Sequence, residues 1–109
     1  MPTNGSANDS VSGLVDRLTG ELGSVSHREI GGTTEYLRGG SVFAVVRGRQ
    51  IELKLRPDIA EAALRTPSTT ASSRGVDWIV FEPRPNEAQD VDRLRAWLTI
   101  GWRTAQRQN

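Results

Sequence analysis

The segment from Gly40 to Pro57 constrains the fold of this chain more than any other part of it. It contains two short apolar runs separated by a turn at Arg47-Gly48-Arg49. In the second run apolar residues alternate with charged ones, which is the period of a strand with one buried and one wet face. Pro57 then favours the first turn of a helix. The segment therefore predicts an antiparallel hairpin followed at once by a helix, and with it an α+β fold.

Glycines and changes of hydrophobic period divide the rest of the chain. A helical spacing of apolar residues predicts a first helix, capped by Asp9 or Ser10 and stopped at Gly23. The last helix is expected to begin between Asn86 and Asp90. Strands are expected near Val25–Ile30, Thr33–Leu37, Ser41–Val46, Gln50–Leu55 and Asp77–Glu82. The order α-β-β-β-β-α-β-α predicts a curved antiparallel sheet of about five strands, with the first and last helices packed on one face.

Two segments are expected to lie outside this framework. Residues 1–9 are small and polar and predict a disordered tail, which leaves residues 10–109 as a single domain. Thr66–Gly75 is rich in Ser and Thr and has no apolar anchor, so it predicts a mobile surface loop.

The composition argues against several kinds of chemistry. The chain has no cysteine and a single histidine, His27, so we expect no disulfide, no metal site and no cofactor. Its acidic residues are scattered, and it has neither a phosphate-binding loop nor a nucleophile motif. An enzyme site would need His27 buried beside a carboxylate. With no signal segment and no apolar run of membrane length, the sequence predicts a soluble cytoplasmic protein.

The third strand contains the first part of a candidate site. Val42, Ala44 and Val46 are expected to point to one face and Phe43 and Val45 to the other, so both faces are apolar. The face of Val42, Ala44 and Val46 then needs a cover. We expect the first and last helices of the chain there, or a dimer seam, with a bound ligand as the remaining option.

Lys54, the single lysine, supplies the second part. It stands between Glu52 and Arg56 on the solvent-facing side of the fourth strand. The simplest interpretation is a solvated lysine without a ligand. Together with the apolar residues of the third strand, it predicts a shallow apolar site with a positive rim, suited to a small acid or a peptide terminus. The candidate ligand-binding set is Val42, Ala44, Val46, Glu52, Lys54 and Arg56.

The last helix offers further surfaces on a helical wheel. Its core stripe is expected to contain Val91, Leu94, Leu98, Trp102 and Ala105. Trp97 and Ile100 lie off that stripe and are the expected surface of a symmetric homodimer. The alternative nucleic-acid footprint consists of Arg93, Arg103 and Arg107 on this helix with Arg47 and Arg49 at the hairpin turn. An isoelectric point near 8.4 is low for a dedicated nucleic-acid binder.

Two resemblances accompany these patterns. Phe43-Ala44, then Gly48, then Leu53–Leu55 before a helix that begins with proline resembles the TfoX N-terminal-like group and its MmcQ/YjbR relatives. Val76–Phe81 followed by Asp90–Leu98 is similar to small bacterial members of the fungal-luciferase-like domain family. Both resemblances imply an α+β fold.

Taken together, these observations favour a non-catalytic module that binds a protein partner, a second copy of itself or a small ligand. A regulatory adaptor is one form of such a module. Nucleic-acid binding through the arginines, or an enzyme with an unrecognised site, are the alternatives. Each of them predicts a different surface in the folded chain.

Overall fold

The computed structural model describes residues 10–107, with the backbone alone for residues 106 and 107. The predicted tail at residues 1–9 lies outside this range. The helices are α1 (Val11–Gly20), α2 (Pro57–Ala63) and α3 (Ala88–Arg107), and the strands are β1 (Ser26–Ile30), β2 (Thr33–Arg38), β3 (Ser41–Arg47), β4 (Gln50–Lys54), β5 (Thr69–Ala71) and β6 (Trp78–Phe81). The predicted α+β fold and its order of elements are confirmed, and β5 is an additional short strand inside the segment expected to be a loop.

The six strands within residues 10–107 form one antiparallel sheet in the order β1-β2-β3-β4-β6-β5. The first four strands are consecutive hairpins. Gly31 and Gly32 connect β1 to β2 with φ values of 55° and 82°, the positive φ that tight hairpin turns require. After β4 the chain passes through α2, forms β5 at the far edge and returns as β6 between β4 and β5. The two edges of the sheet are therefore β1 and β5.

One face of the sheet packs against the three helices of the described chain. A row of facing residues crosses the sheet from Tyr36 through Ala44 and Leu53 to Ile79, and all four belong to the cluster of buried residues to which the helices contribute. Gly101 lets α3 lie directly on the strands, because a Cβ at this position would sit 2.8 Å from the carbonyl oxygen of Lys54. We call the opposite face, which has no helix among the described residues, the outer face.

A register shift between β2 and β3 changes which residues of β3 face the helices. Tyr36 faces Ala44, but the next residue of β2, Leu37, faces Val42, so that Phe43 has no facing residue, as at a β-bulge. Phe43 and Ala44 consequently both lie in the buried cluster, whereas Val45 pairs with residues of the outer face. The expected alternation along β3 is thus wrong at Val42 and Phe43, since Phe43 joins the helix-covered cluster and Val42 lies outside it. The helices of the chain cover Ala44 and Val46.

The tryptophan expected at a dimer surface lies in the core instead. Trp97 is 8% exposed, and its ring meets Phe81 edge-on with ring centroids 5.0 Å apart. Ile100 is half-buried against the same cluster. The buried stripe of α3 is thus wider than the helical wheel indicated, as is usual for a helix packed on a sheet. Trp97 and Ile100 therefore do not form the expected homodimer surface.

Candidate binding sites on the outer face and edges of the sheet

A buried carboxylate lies at the centre of the outer face. Glu52 is 7% exposed, and its Oε1 lies 2.8 Å from Nε of Arg74 and 3.7 Å from a guanidinium nitrogen of Arg47. The hydroxyl of Ser72 donates a hydrogen bond of 2.9 Å to Oε2. Burial alone raises the pKa of Glu52, but the hydrogen bonds from Arg74 and Ser72 and the charge of Arg47 outweigh it and hold that pKa below its usual value.

The same contacts hold the segment between β5 and β6 against the sheet. We call Ser72–Asp77 the β5–β6 loop. The guanidinium of Arg74 lies 5.2 Å from the centre of the Trp78 ring, and the N–H of Leu55 donates to the carbonyl of Asp77 at 2.6 Å. With both oxygens of the buried carboxylate occupied, Glu52 anchors this loop and is not available to a ligand. The expected mobility of Thr66–Gly75 is therefore restricted where Ser72 and Arg74 are anchored.

The sheet separates the predicted ligand-binding set. Residues that face each other across two strands share a face, and Ala44 faces Leu53, not Glu52 or Lys54. Ala44 and Val46 thus lie under the helices, while Glu52 and Lys54 lie on the outer face. The six predicted residues do not form one site, and this corrects the sequence-based expectation.

Three members of that set remain near the surface. Val42 is half-buried and lies outside the helix-covered cluster. Lys54 is half-buried beside Trp78, and its ammonium group makes no ion pair with any described residue. Arg56 is exposed at the start of α2, with its guanidinium 3.4 Å from Asp58.

The arginines of the predicted nucleic-acid footprint have separate roles. Arg93 is half-buried, lies 5.7 Å from the Phe81 ring and forms a long ion pair with Asp90 at 3.9 Å. Arg47 belongs to the Glu52 network. Arg49 and Arg103 are exposed and form no ion pair among the described residues, and the side chain of Arg107 lies outside the described part.

These arginines also lie far apart. Gly101, two residues before Arg103, packs on Phe43 and Lys54, which are at the open end of the β3–β4 hairpin. The turn at Gly48, which carries the other two arginines, is six residues away along β4, or roughly 20 Å at the rise of a strand. The exposed arginines therefore do not form one continuous footprint.

His27 lies at the surface of β1 and has no carboxylate partner among the described residues. Its ring is 5.9 Å from that of Tyr36, whose hydroxyl donates to Oδ1 of Asp16 at 2.5 Å. Burial and the neighbouring Asp16 raise the pKa of Tyr36. His27 and Asp16 border a shallow cleft, but the hydroxyl of the buried Tyr36 occupies the aspartate. No group of three potential metal ligands occurs among residues 10–105.

A groove that the sequence analysis missed lies beside β5. It has a volume of about 600 Å³ and separates α2 from the β5–β6 loop. Three large apolar side chains are exposed in the described chain, and two of them, Leu64 (41%) and Val76 (82%), line this groove. Pro57, Glu61, Ala71 and Trp78 complete most of the wall. The sequence places Leu64 directly after α2 and Val76 just before β6, but nothing local brings the two residues together.

Backbone groups of β5 point outward next to the groove. The N–H of Glu82 donates to the carbonyl of Ser68 at 3.0 Å, which makes this a hydrogen-bonded pair. Hydrogen-bonded and non-hydrogen-bonded pairs alternate along an antiparallel ladder, so Thr70 bonds to β6 and its two neighbours do not. The N–H and C=O groups of Thr69 and Ala71 therefore face the open edge.

No helix among residues 10–107 is long and apolar enough to cross a membrane. Comparison of the chain with protein-family models, with curated proteins and with solved structures found no match. The resemblances to the TfoX N-terminal-like and fungal-luciferase-like groups therefore stay predictions, and function is argued from the sites alone.

Proposed function

We propose that this chain is a non-catalytic interaction module that binds an extended peptide segment of a partner protein along β5. The observation that carries the proposal is the position of the apolar groove directly beside an open strand edge. Strand addition of this kind obtains affinity from main-chain hydrogen bonds and specificity from pockets for alternate side chains. Both components are present here in adjacent residues.

The backbone component comes from two residues. Thr69 and Ala71 each offer one N–H and one C=O to an added strand, which would lie about 4.8 Å from β5. This contribution does not depend on the sequence of the peptide. A three-residue edge is short, so the side-chain component has to supply the rest of the affinity.

The side-chain component comes from the groove. A peptide residue opposite Ala71 would direct its side chain between Leu64 and Val76, and a volume of about 600 Å³ accommodates one or two such side chains. Burying one leucine-sized side chain contributes about 1.5 to 3 kcal/mol. Glu61 stands in the wall and makes no ion pair among the described residues, so it favours a basic residue beside the apolar one. The expected ligand is an extended segment with an apolar residue flanked by lysine or arginine.

The proposal can be tested with a displayed library of short unstructured peptides. We expect selected peptides to be apolar and basic, and to shift the amide resonances of Thr69 and Ala71. Val76→Asp places a charge in the groove, and Ala71→Pro removes one outward N–H without touching a bond to β6. Each should weaken binding at least tenfold, because the first removes apolar contact and the second removes a hydrogen bond.

The matched control is Ile30→Asp, which places the same charge on an exposed apolar residue at the other edge. It should bind selected peptides as the unmodified protein does. Peptides that bind Val76→Asp and Ala71→Pro with unchanged affinity would place the site elsewhere and contradict the proposal. A library that yields no binder would do so as well.

A further inference from the structure

The other edge of the sheet, β1, is a second open template for strand pairing. All five of its residues are exposed, and its pairing with β2 contains neither a bulge nor a proline. Ile30 and Thr33 close a two-residue hairpin and therefore form a hydrogen-bonded pair. By alternation Arg28 also bonds to β2, whereas the N–H and C=O groups of His27 and Glu29 point away from the sheet.

We propose that β1 pairs with β1 of a second copy of this chain, antiparallel and about a two-fold axis through Arg28. Outward-pointing residues must face each other for the ladder to form. With Arg28 on the axis, His27 faces Glu29 of the second copy, and Glu29 faces His27 of the second copy. Each facing pair then exchanges two backbone hydrogen bonds. The result is one continuous sheet across both copies, built on a self-complementary surface.

The side chains favour this register over its neighbours. It places an imidazole opposite a carboxylate at both ends of the seam, and such pairs stabilise antiparallel strands. One other register that satisfies the outward groups places Glu29 on Glu29, and like charges directly opposite each other destabilise a sheet. Another places His27 on His27, where neither imidazole has a carboxylate opposite it. Complementarity of the five-residue strand with itself therefore selects one arrangement.

Arg28 is the residue that could oppose the pairing, because it lies opposite its own copy. Its Nε is 2.6 Å from Oε1 of Glu35 on β2, so the guanidinium points away from the seam and is neutralised. Ile30, which is 56% exposed, faces Ser26 of the second copy and loses water there. Charged residues usually protect an edge strand from pairing. In this strand Glu29 faces an imidazole of the second copy, and Arg28 is paired with Glu35 of its own chain.

The seam is small, so the dimer is expected to be weak and reversible. Sedimentation equilibrium of the full chain should show a mass that rises from one copy towards two between about 10 µM and about 1 mM. Glu29→Pro removes an outward N–H and leaves the bonds from β1 to β2 intact, as prolines on strand edges do. This variant should remain monomeric over the whole range, with an unchanged circular dichroism spectrum to show that it folds.

Charge reversal tests the register. Glu29→Arg should weaken dimerisation at least tenfold, because His27 then faces an arginine. Adding His27→Glu to that variant restores an opposite pair and should restore dimerisation to within about threefold of the original. The control at the other edge is Ala71→Pro, which should dimerise as the unmodified protein does.

Three results would overturn the inference. The first is a monomer at the highest concentration, and the second is a dimer that Glu29→Pro leaves unchanged. The third is continued growth beyond two copies that Ala71→Pro stops, because this would show β1 pairing with β5 of the next copy in an open chain.

Discussion

The two edges of the sheet present the same backbone groups and differ in what surrounds them. β5 is three residues long and borders an apolar groove, whereas β1 is five residues long, borders only a shallow cleft at His27 and carries charges of both signs. The groove favours a foreign peptide with an apolar residue, and the charges favour a second copy of the same strand. An open edge is thus only a template, and the neighbouring side chains decide what it binds.

The edges are also held in place by different means. On the β5 side, the β5–β6 loop is tied to the buried Glu52 by Arg74 and Ser72. On the β1 side, the hairpin depends on the glycine turn and on one exposed ion pair, Arg28–Glu35. We therefore expect the β1 edge to open more readily than the β5 edge. Four substitutions or conditions test this difference, in order of decreasing effect.

The largest effect is expected from Glu52→Ala. It leaves Arg74 and Ser72 without their shared partner and should lower the free energy of unfolding by about 2 to 3 kcal/mol. Hydrogen exchange should accelerate at Trp78 and in the β5–β6 loop but not in β1. Glu35→Ala is the matched control, because its partner is exposed, and it should cost less than about 1 kcal/mol. If Glu52→Ala and Glu35→Ala lost the same free energy of unfolding, the β5 side would not be held more firmly than the β1 side.

The second largest effect on stability is expected from Gly32→Val. Gly32 has a φ of 82°, which a β-branched residue adopts only under strain, so the variant should lose about 1 to 3 kcal/mol in chemical denaturation. The loss should appear as faster exchange in β1 and as weaker dimerisation. Gly20→Ala is the control: its Cβ would meet nothing within 4 Å, and its stability should be equal or higher. An undisturbed Gly32→Val hairpin would show that the turn does not hold this edge.

Acid should weaken the β5 side through Glu52. Although burial raises its pKa, the partners of this carboxyl hold the pKa below the usual value. Its contribution to stability is therefore complete above the usual carboxyl pKa and disappears as the pH falls through the lower pKa of the folded state. Urea denaturation between about pH 6 and pH 3 should show this loss, and Glu52→Gln should reduce the pH dependence. An identical pH profile for Glu52→Gln would contradict the role of Glu52 as the anchor.

The smallest effect is expected from Arg28→Ala. The arginine side chain is 56% exposed, so removing its pair with Glu35 should cost less than about 1 kcal/mol, and the cost should fall further in high salt. Thermal unfolding at low and high salt measures the cost of the substitution and its dependence on salt. A salt-independent cost of more than about 2 kcal/mol would show that the β1 edge depends on this pair as strongly as the β5 side depends on Glu52.

Local patterns predicted most of the framework. The glycine pairs and the period of two placed the first four strands within two residues of their ends, and Ser10 caps α1 by accepting a hydrogen bond from the N–H of Gly13, as expected. β5 was not predictable in this way. Its three residues, Thr69–Ala71, have no apolar period, and they form a strand because β6 offers them a partner.

The sequence predicted the binding sites less well than it predicted the fold. Leu64 and Val76 are twelve positions apart, and their common groove exists only after α2 and the β5–β6 loop have packed beside each other. Glu52 was singled out, but as a ligand contact. Its actual role depends on Arg74, which comes from a segment that was expected to be a mobile loop.

By itself, the sequence determined the class and order of the elements, because strand and helix periods, turn glycines and caps act over a few residues. The tertiary structure alone decided which residues of β3 lie under the helices, that Trp97 belongs to the core and that the six predicted ligand residues fall on two faces. These outcomes depend on pairing register, and one bulge between β2 and β3 suffices to place Phe43 and Ala44 on the same side. Register is set by contacts between strands across the whole sheet, so no local pattern contains it.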